Sequence, residues 1–177
     1  MEEILVEDGQ AIRARFAALL AVHGPGLRRV ARAYAARTDE TDDLLQEIAL
    51  ALWRALSTFR GDCSERTFVF RVAHNRGITF VERGGRVVRG RDEVEPDAIE
   101  IPGIATAEDH LADARRRAAL WTAIRGLAPA TRAVITMALE GLAHAEIGEI
   151  LGISAGAVAV RLSRGREELR RAMGGGS

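Results

Sequence analysis

Between residues 144 and 166 the order of residue types allows little besides two short helices meeting at a tight turn. Ile147, Ile150 and Leu151 recur at helical spacing and give the first helix an inner face. Gly152 supplies the positive φ that such a turn needs, and Ile153 plugs the corner. Ser154 is placed to cap the second helix, where Val158 and Leu162 share one side four residues apart. The other side then presents Ala155, Ala159, Arg161 and Arg164, and Arg166, Arg170 and Arg171 carry positive charge onward. A capped second helix with a basic outer face is how a helix-turn-helix enters a DNA groove. An ordinary helical hairpin with a basic surface is the alternative; the coincidence of glycine, plug, cap and basic face favours DNA.

The rest of the chain also reads as helix. Aromatics make up 5% of the 177 residues while Ala, Leu and Arg abound, which disfavours strands. Residues 10–36 have apolar positions near helical spacing, but Gly24-Pro25-Gly26 predicts two helices or one kinked helix. Asp39, Thr41 and Asp42 are N-cap candidates for a helix running to Ser57, with Leu44, Leu45, Ile48, Leu52, Trp53 and Leu56 as its apolar stripe. Phe59-Arg60-Gly61-Asp62 breaks it. A third helix over 64–83 should turn Phe68, Val72, Ile78 and Phe80 inward. After a stretch rich in Gly, Pro and acids, a helix from about Glu108 carries Leu111, Leu120, Ile124 and Leu127. Pro129 opens another, with Val134, Ile135 and Leu139 inward.

The expected architecture is all-α: two small helical domains, 10–87 and 111–173, joined by a flexible acidic linker over 88–110. Charge follows that division. Residues 1–87 carry +1, 88–110 carry −5 and 111–177 carry +4, within a net charge of zero. A basic C-terminal third points to an anionic partner. Every basic residue is Arg, the better bidentate partner for phosphate and guanine, although GC-rich coding explains the same bias.

Asp42-Asp43-Leu44-Leu45-Gln46-Glu47, Leu52-Trp53-Arg54-Ala55-Leu56, Phe59-Arg60-Gly61-Asp62 and Arg66-Thr67-Phe68-Val69-Phe70-Arg71-Val72-Ala73-His74-Asn75 together resemble the second conserved domain of bacterial RNA polymerase sigma factors. With the helix-turn-helix behind it, the chain looks like the extracytoplasmic-function (ECF) group, which keeps these two domains and a linker. The resemblance implies a transcription initiation factor that binds core RNA polymerase, recognises −35 and −10 promoter elements and aids melting. It places Asp43, Gln46 and Glu47 on the β′ clamp helices, with a further contact at the β flap. It makes Phe59, Arg60, Asp62, Ser64, Arg66, Thr67, Phe68, Arg71, Asn75 and Arg76 candidates for capturing −10 bases. Phe68 stands where Trp is common in the family. It assigns −35 DNA to Ser154, Arg161, Ser163, Arg164 and Arg166. Ala157, Ala159 and Val160 replace the family's usual polar residues; they can touch a thymine methyl but donate no hydrogen bond. An anti-sigma protein clamping both domains is the further implied partner.

Catalysis is not expected. His23, His74, His110 and His144 are scattered without metal spacing to each other or to Cys63, and no phosphate-cradling glycine loop occurs. No cofactor, metal or small-molecule substrate is expected. The lone cysteine, the lack of a signal segment and the lack of a long apolar run predict a cytoplasmic protein without membrane insertion. Two rival readings are a helix-turn-helix regulator that never touches polymerase and a sigma-like decoy that binds an anti-sigma protein.

Overall fold

The computed structural model describes residues 2–83 and 107–174, and seven α-helices, without a strand, make up its regular structure. Helix α1 (Glu2–Tyr34), α2 (Thr38–Leu56) and α3 (Glu65–Glu82) pack mutually. Helices α4 (Ala107–Gly126), α5 (Pro129–Leu139), α6 (His144–Leu151) and α7 (Ala155–Gly174) form a second group. The expected linker lies outside the described residues up to residue 106, as do the side chain of Leu111 and residues 175–177.

Helix α1 continues through Gly24-Pro25-Gly26, so of the two expected forms, two helices or one kinked helix, the chain takes the single helix. Proline removes one backbone donor from a helix interior. Here Leu19 before it, and Leu27 and Val30 after it, are all buried in the same core, and that packing offsets the lost bond. Helix α2 starts one residue before the cap candidates. Arg37 occupies the N-cap without a side-chain hydrogen bond, and the Glu40 carboxylate accepts from Ala36 N instead, at 2.9 Å. Leu44, Ile48, Leu52 and Leu56 are buried as the stripe predicts, whereas Trp53 sits at its edge, edge-on to Phe16.

Helix α3 corrects the sequence reading most. Ser64 caps it, accepting from Thr67 N at 3.0 Å. Its buried face is Thr67, Val69, Phe70, Ala73, His74 and Gly77, while Phe68, Val72 and Phe80 are half-buried and Ile78 is exposed. The cause is that α3 packs against α1 and α2 and also against α6, so no single apolar stripe marks its inner side. In α5, Val134 and Ile135 are buried but Leu139 is exposed, with Met137 buried in its place.

The helix-turn-helix forms as its residues dictate. Ile147 and Ile150 are buried, Leu151 and Ile153 are half-buried against the core, and Gly152 takes φ 66°. Ser154 Oγ accepts from Ala157 N at 3.1 Å, and Val158 and Leu162 pin α7 to the core. The two helix groups also touch: α1 meets α4 and α5, and α3 meets α6. Their buried side chains form one apolar cluster.

Candidate nucleic-acid interface

Three surfaces gather the residues singled out by the sequence. The first is the outward face of α2. Asp43 and Gln46 are exposed, and Glu47 is half-buried with its carboxylate 3.6 Å from Arg76. Leu50 completes this face one turn on and is 56% exposed, an apolar side chain amid polar neighbours. Sequence reasoning missed it; the signal was a leucine off the Leu44–Ile48–Leu52 stripe.

The second surface runs from the α2–α3 loop along α3. Arg60, Asp62, Ser64 and Asn75 are exposed. Phe59 and Phe68 stack with ring centroids 4.3 Å apart, and the Arg15 guanidinium covers Phe59 at 5.2 Å. Thr67 cannot reach a base. It is 1% exposed and its hydroxyl and N–H are committed to the Ser64 cap, so this candidate is a folding residue. Arg66 and Arg71 turn toward the second helix group. Arg66 donates to the backbone carbonyl of Glu140, and Arg71 to the Glu149 carboxylate at 2.6 Å. The buried Nε of Arg71 finds no partner. Beside them the Glu140 carboxylate, 5% exposed, accepts from Arg29 Nε and Nη2 at 2.5 and 2.7 Å.

The third surface is the outer side of α7. Ser163, Arg164 and Arg166 are exposed, Arg161 is half-buried, and none of the three arginines has an ion-pair partner among the described residues. Arg170 and Arg171 both pair with Glu167, so the positive charge on offer lies nearer the helix start than the sequence suggests. Val160 is 52% exposed among them. Ser154 is occupied in part by its capping bond, although its side chain borders the same face.

One buried polar cluster stands apart. The Tyr34 hydroxyl and His74 Nδ1 share a hydrogen bond at 2.6 Å. Burial pushes His74 down to about 4 and pushes the Tyr34 phenol up, the latter opposed by the charge of Arg132. Arg132 reaches the carbonyls of Arg125 and Leu127, at 2.7 and 3.1 Å, closing the end of α4. This is scaffold chemistry with a measurable consequence. Unfolded histidine takes up its proton near 6.5 and the folded one near 4. Stability contributed by the neutral ring is therefore complete above pH 6.5 and declines as pH falls toward 4, by up to about 1.4 kcal/mol per pH unit. Thermal melts across that range should show a shallower acid slope for His74→Gln than for the wild type; equal slopes would contradict this assignment.

Among the described residues no group of His, Cys, Asp and Glu is placed to hold a metal ion, and no helix is long and apolar enough to cross a membrane.

Comparison with known proteins agrees with this layout. The family description "Sigma-70 region 2" matches residues 19–87, and "Sigma-70, region 4" matches residues 117–169. The ECF RNA polymerase sigma factor SigE of Mycolicibacterium smegmatis is 29% identical over 164 residues, covering 91% of this chain and 62% of its own length. The chain thus spans less than two thirds of that relative. A structure of CnrH in complex with the cytosolic domain of CnrY superposes with a TM-score of 0.67 at 26% identity, covering 96% of both chains. The sigma factor RpoE of Bartonella quintana, solved with the anti-sigma factor NepR, shares the fold with a TM-score of 0.67 at 22% identity, over 92% of this chain and 99% of that one. With region 2 built on α1–α3 and region 4 on α4–α7, in that order and over most of its length, the chain belongs to the sigma-70 family of transcription initiation factors, in its ECF group.

Proposed function

We propose that the chain docks on core RNA polymerase through α2 and directs it to promoters read by α7 and α3. Residues 10–87 serve polymerase binding and −10 capture, 88–110 link, and 111–173 read the −35 element. Asp43, Gln46 and Glu47 meet the β′ clamp helices, with Leu50 as the apolar centre of the patch; an apolar anchor ringed by polar groups is the usual anatomy of a strong protein contact. The second helix group also meets the β flap. Arg161, Ser163, Arg164 and Arg166 supply groove and phosphate contacts, with Ser154 at the helix start. Val160 offers methyl groups where other readers offer donors, which suits a thymine methyl. Arg60, Asp62, Ser64, Phe68, Asn75 and Arg76, with Arg66 and Arg71, hold the unpaired −10 strand by stacking and charge. The polymerase performs the chemistry.

The observation that carries this reading is the α2 face. A regulator acting without polymerase has no use for an exposed acid, amide and leucine aligned on a helix outside its DNA-reading domain. An anti-sigma protein is the further partner, supported by the company in which RpoE of Bartonella quintana was solved. The test is retention of bacterial core polymerase on the immobilised chain. Wild type should retain it, and Gln46→Ala with Glu47→Ala should weaken retention on the order of tenfold or more. Equal retention by the double variant would sink the assignment, and polymerase binding without promoter-directed transcription would favour a decoy.

A further inference from the structure

We infer that Arg15, on α1, belongs to the strand-capturing surface: its guanidinium is the plane on which an unpaired base stacks, and its spare N–H groups hold the adjoining phosphate. This rests on the reading of the α2–α3 loop and α3 as the −10 surface, and it extends that surface to a third helix. The argument starts at Phe59. An aromatic ring in a base-capturing loop is the natural stacking platform, but this ring is already covered. Phe68 stacks on it with centroids 4.3 Å apart and planes 26° from parallel, and the Arg15 guanidinium lies over it at 5.2 Å. Half-buried between such neighbours, Phe59 has no face to offer a base. The open member of the stack is Arg15, whose side chain keeps 44% of its surface exposed. A guanidinium is planar and delocalised, so it stacks on a nucleic-acid base as it does on an aromatic ring.

Two constraints hold that plane in place before a strand arrives. Ile12 and Phe16, either side of Arg15 on α1, pack half-buried against the core and fix the helix that carries it. The Glu65 carboxylate, at the start of α3, accepts from Arg15 Nη2 at 3.4 Å. That bond is long, both side chains are about half exposed and water screens the pair, so it orients the guanidinium without consuming it. The other N–H groups of Arg15 have no acceptor among the described residues. A phosphate supplies acceptors through charge-assisted bonds. Arg15 also neutralises Glu65, whose bare carboxylate would repel a DNA backbone. Arg60, exposed in the loop next to Phe59, adds a second cation.

Two fluorescein-labelled strands separate stacking from charge in the full chain: dT20, and an abasic strand of equal length with the same phosphates and no bases. Wild type should bind dT20 more tightly than the abasic strand. Arg15→Lys keeps the charge and loses the plane. It should bind the abasic strand as wild type does and dT20 about tenfold more weakly. Arg15→Ala should weaken both, and should lower the slope of log K against log salt by about 0.7, the share of one phosphate contact on a single strand. A brace for Phe59 that never touches DNA gives another pattern: a lowered melting temperature, with the ratio of dT20 to abasic affinity unchanged in both variants. That pattern, or wild-type dT20 binding by Arg15→Lys, overturns the inference. Arg60→Ala reports on the underlying reading. If it weakens dT20 binding while both Arg15 variants behave as wild type, the loop captures the strand without Arg15. If none of the three variants changes dT20 binding, or wild type binds dT20 no better than the abasic strand, the reading of this surface fails together with the inference.

Discussion

Leu50→Asp is expected to abolish capture of core RNA polymerase while leaving the fold intact. The side chain is 56% exposed and takes no part in the buried cluster, so folding loses little when it goes. Helix propensity changes by only a few tenths of a kcal/mol. Arg54, one turn further on and exposed, is placed to pair with the new carboxylate, which offsets part of even that. At an interface the balance reverses. A carboxylate buried at the centre of a contact and left without a partner costs roughly 2–5 kcal/mol, about two orders of magnitude or more in affinity. Retention of core polymerase and a thermal melt on the same preparation give the two numbers needed. Lost retention with an unchanged melt assigns the surface; retained polymerase removes α2 from the account.

Gly148→Ala is expected to damage the helix-turn-helix itself. The residue is helical, so alanine would ordinarily add about 1 kcal/mol of stability. Here a Cβ would stand 2.6 Å from the backbone oxygen of Ile153. That oxygen cannot swing aside as a side chain would, because the turn is closed by Ile153 N donating to Gly148 O at 3.0 Å and by Gly152 N donating to the same carbonyl. The turn must open, at a net cost of about 1–3 kcal/mol. In a chain of this size that lowers the melting temperature by roughly 2–4 °C per kcal/mol. Binding to a −35 duplex should fall further than stability does, since α7 is displaced from the helix that aims it. Denaturation and duplex binding check the two effects. A stabilised variant with unchanged DNA binding would show that helix propensity outweighs the clash.

The contrast between Gly148 and Gly152 shows where the sequence could be read. Gly152 announces itself because the apolar spacing stops there and Ser154 follows as a cap, and both are local signals with a single geometric solution. Gly148 looks like a helix-weakening glycine inside α6, and its reason lies in the chain folding back five residues later. The buried stripe of α2 was legible because one side faces the core and the other faces out. The inner face of α3 was not, since helices cover it from two directions and leave Phe68 stacked on Phe59 at an edge instead of in the centre.

The same limit applies to the interface. Arg161, Arg164 and Arg166 follow from type and spacing, Asp43 and Gln46 from the resemblance of their helix to the sigma-factor motif, and all five have accessible side chains. Thr67 was named with them, but one hydrogen bond to Ser64 decides its role as a folding residue. The Arg29–Glu140 pair joins positions 111 residues apart. No periodicity encodes such a pairing, which follows only once α5 is laid against α1.

Run-off transcription tests the central claim most directly. Bacterial core RNA polymerase, supplied with genomic fragments and this chain, should give discrete transcripts from a defined set of start sites that core enzyme alone does not give. Leu50→Asp added in place of the wild type should return the core-alone pattern. Discrete transcripts that persist with Leu50→Asp, or none with the wild type at saturating concentration, would contradict the account.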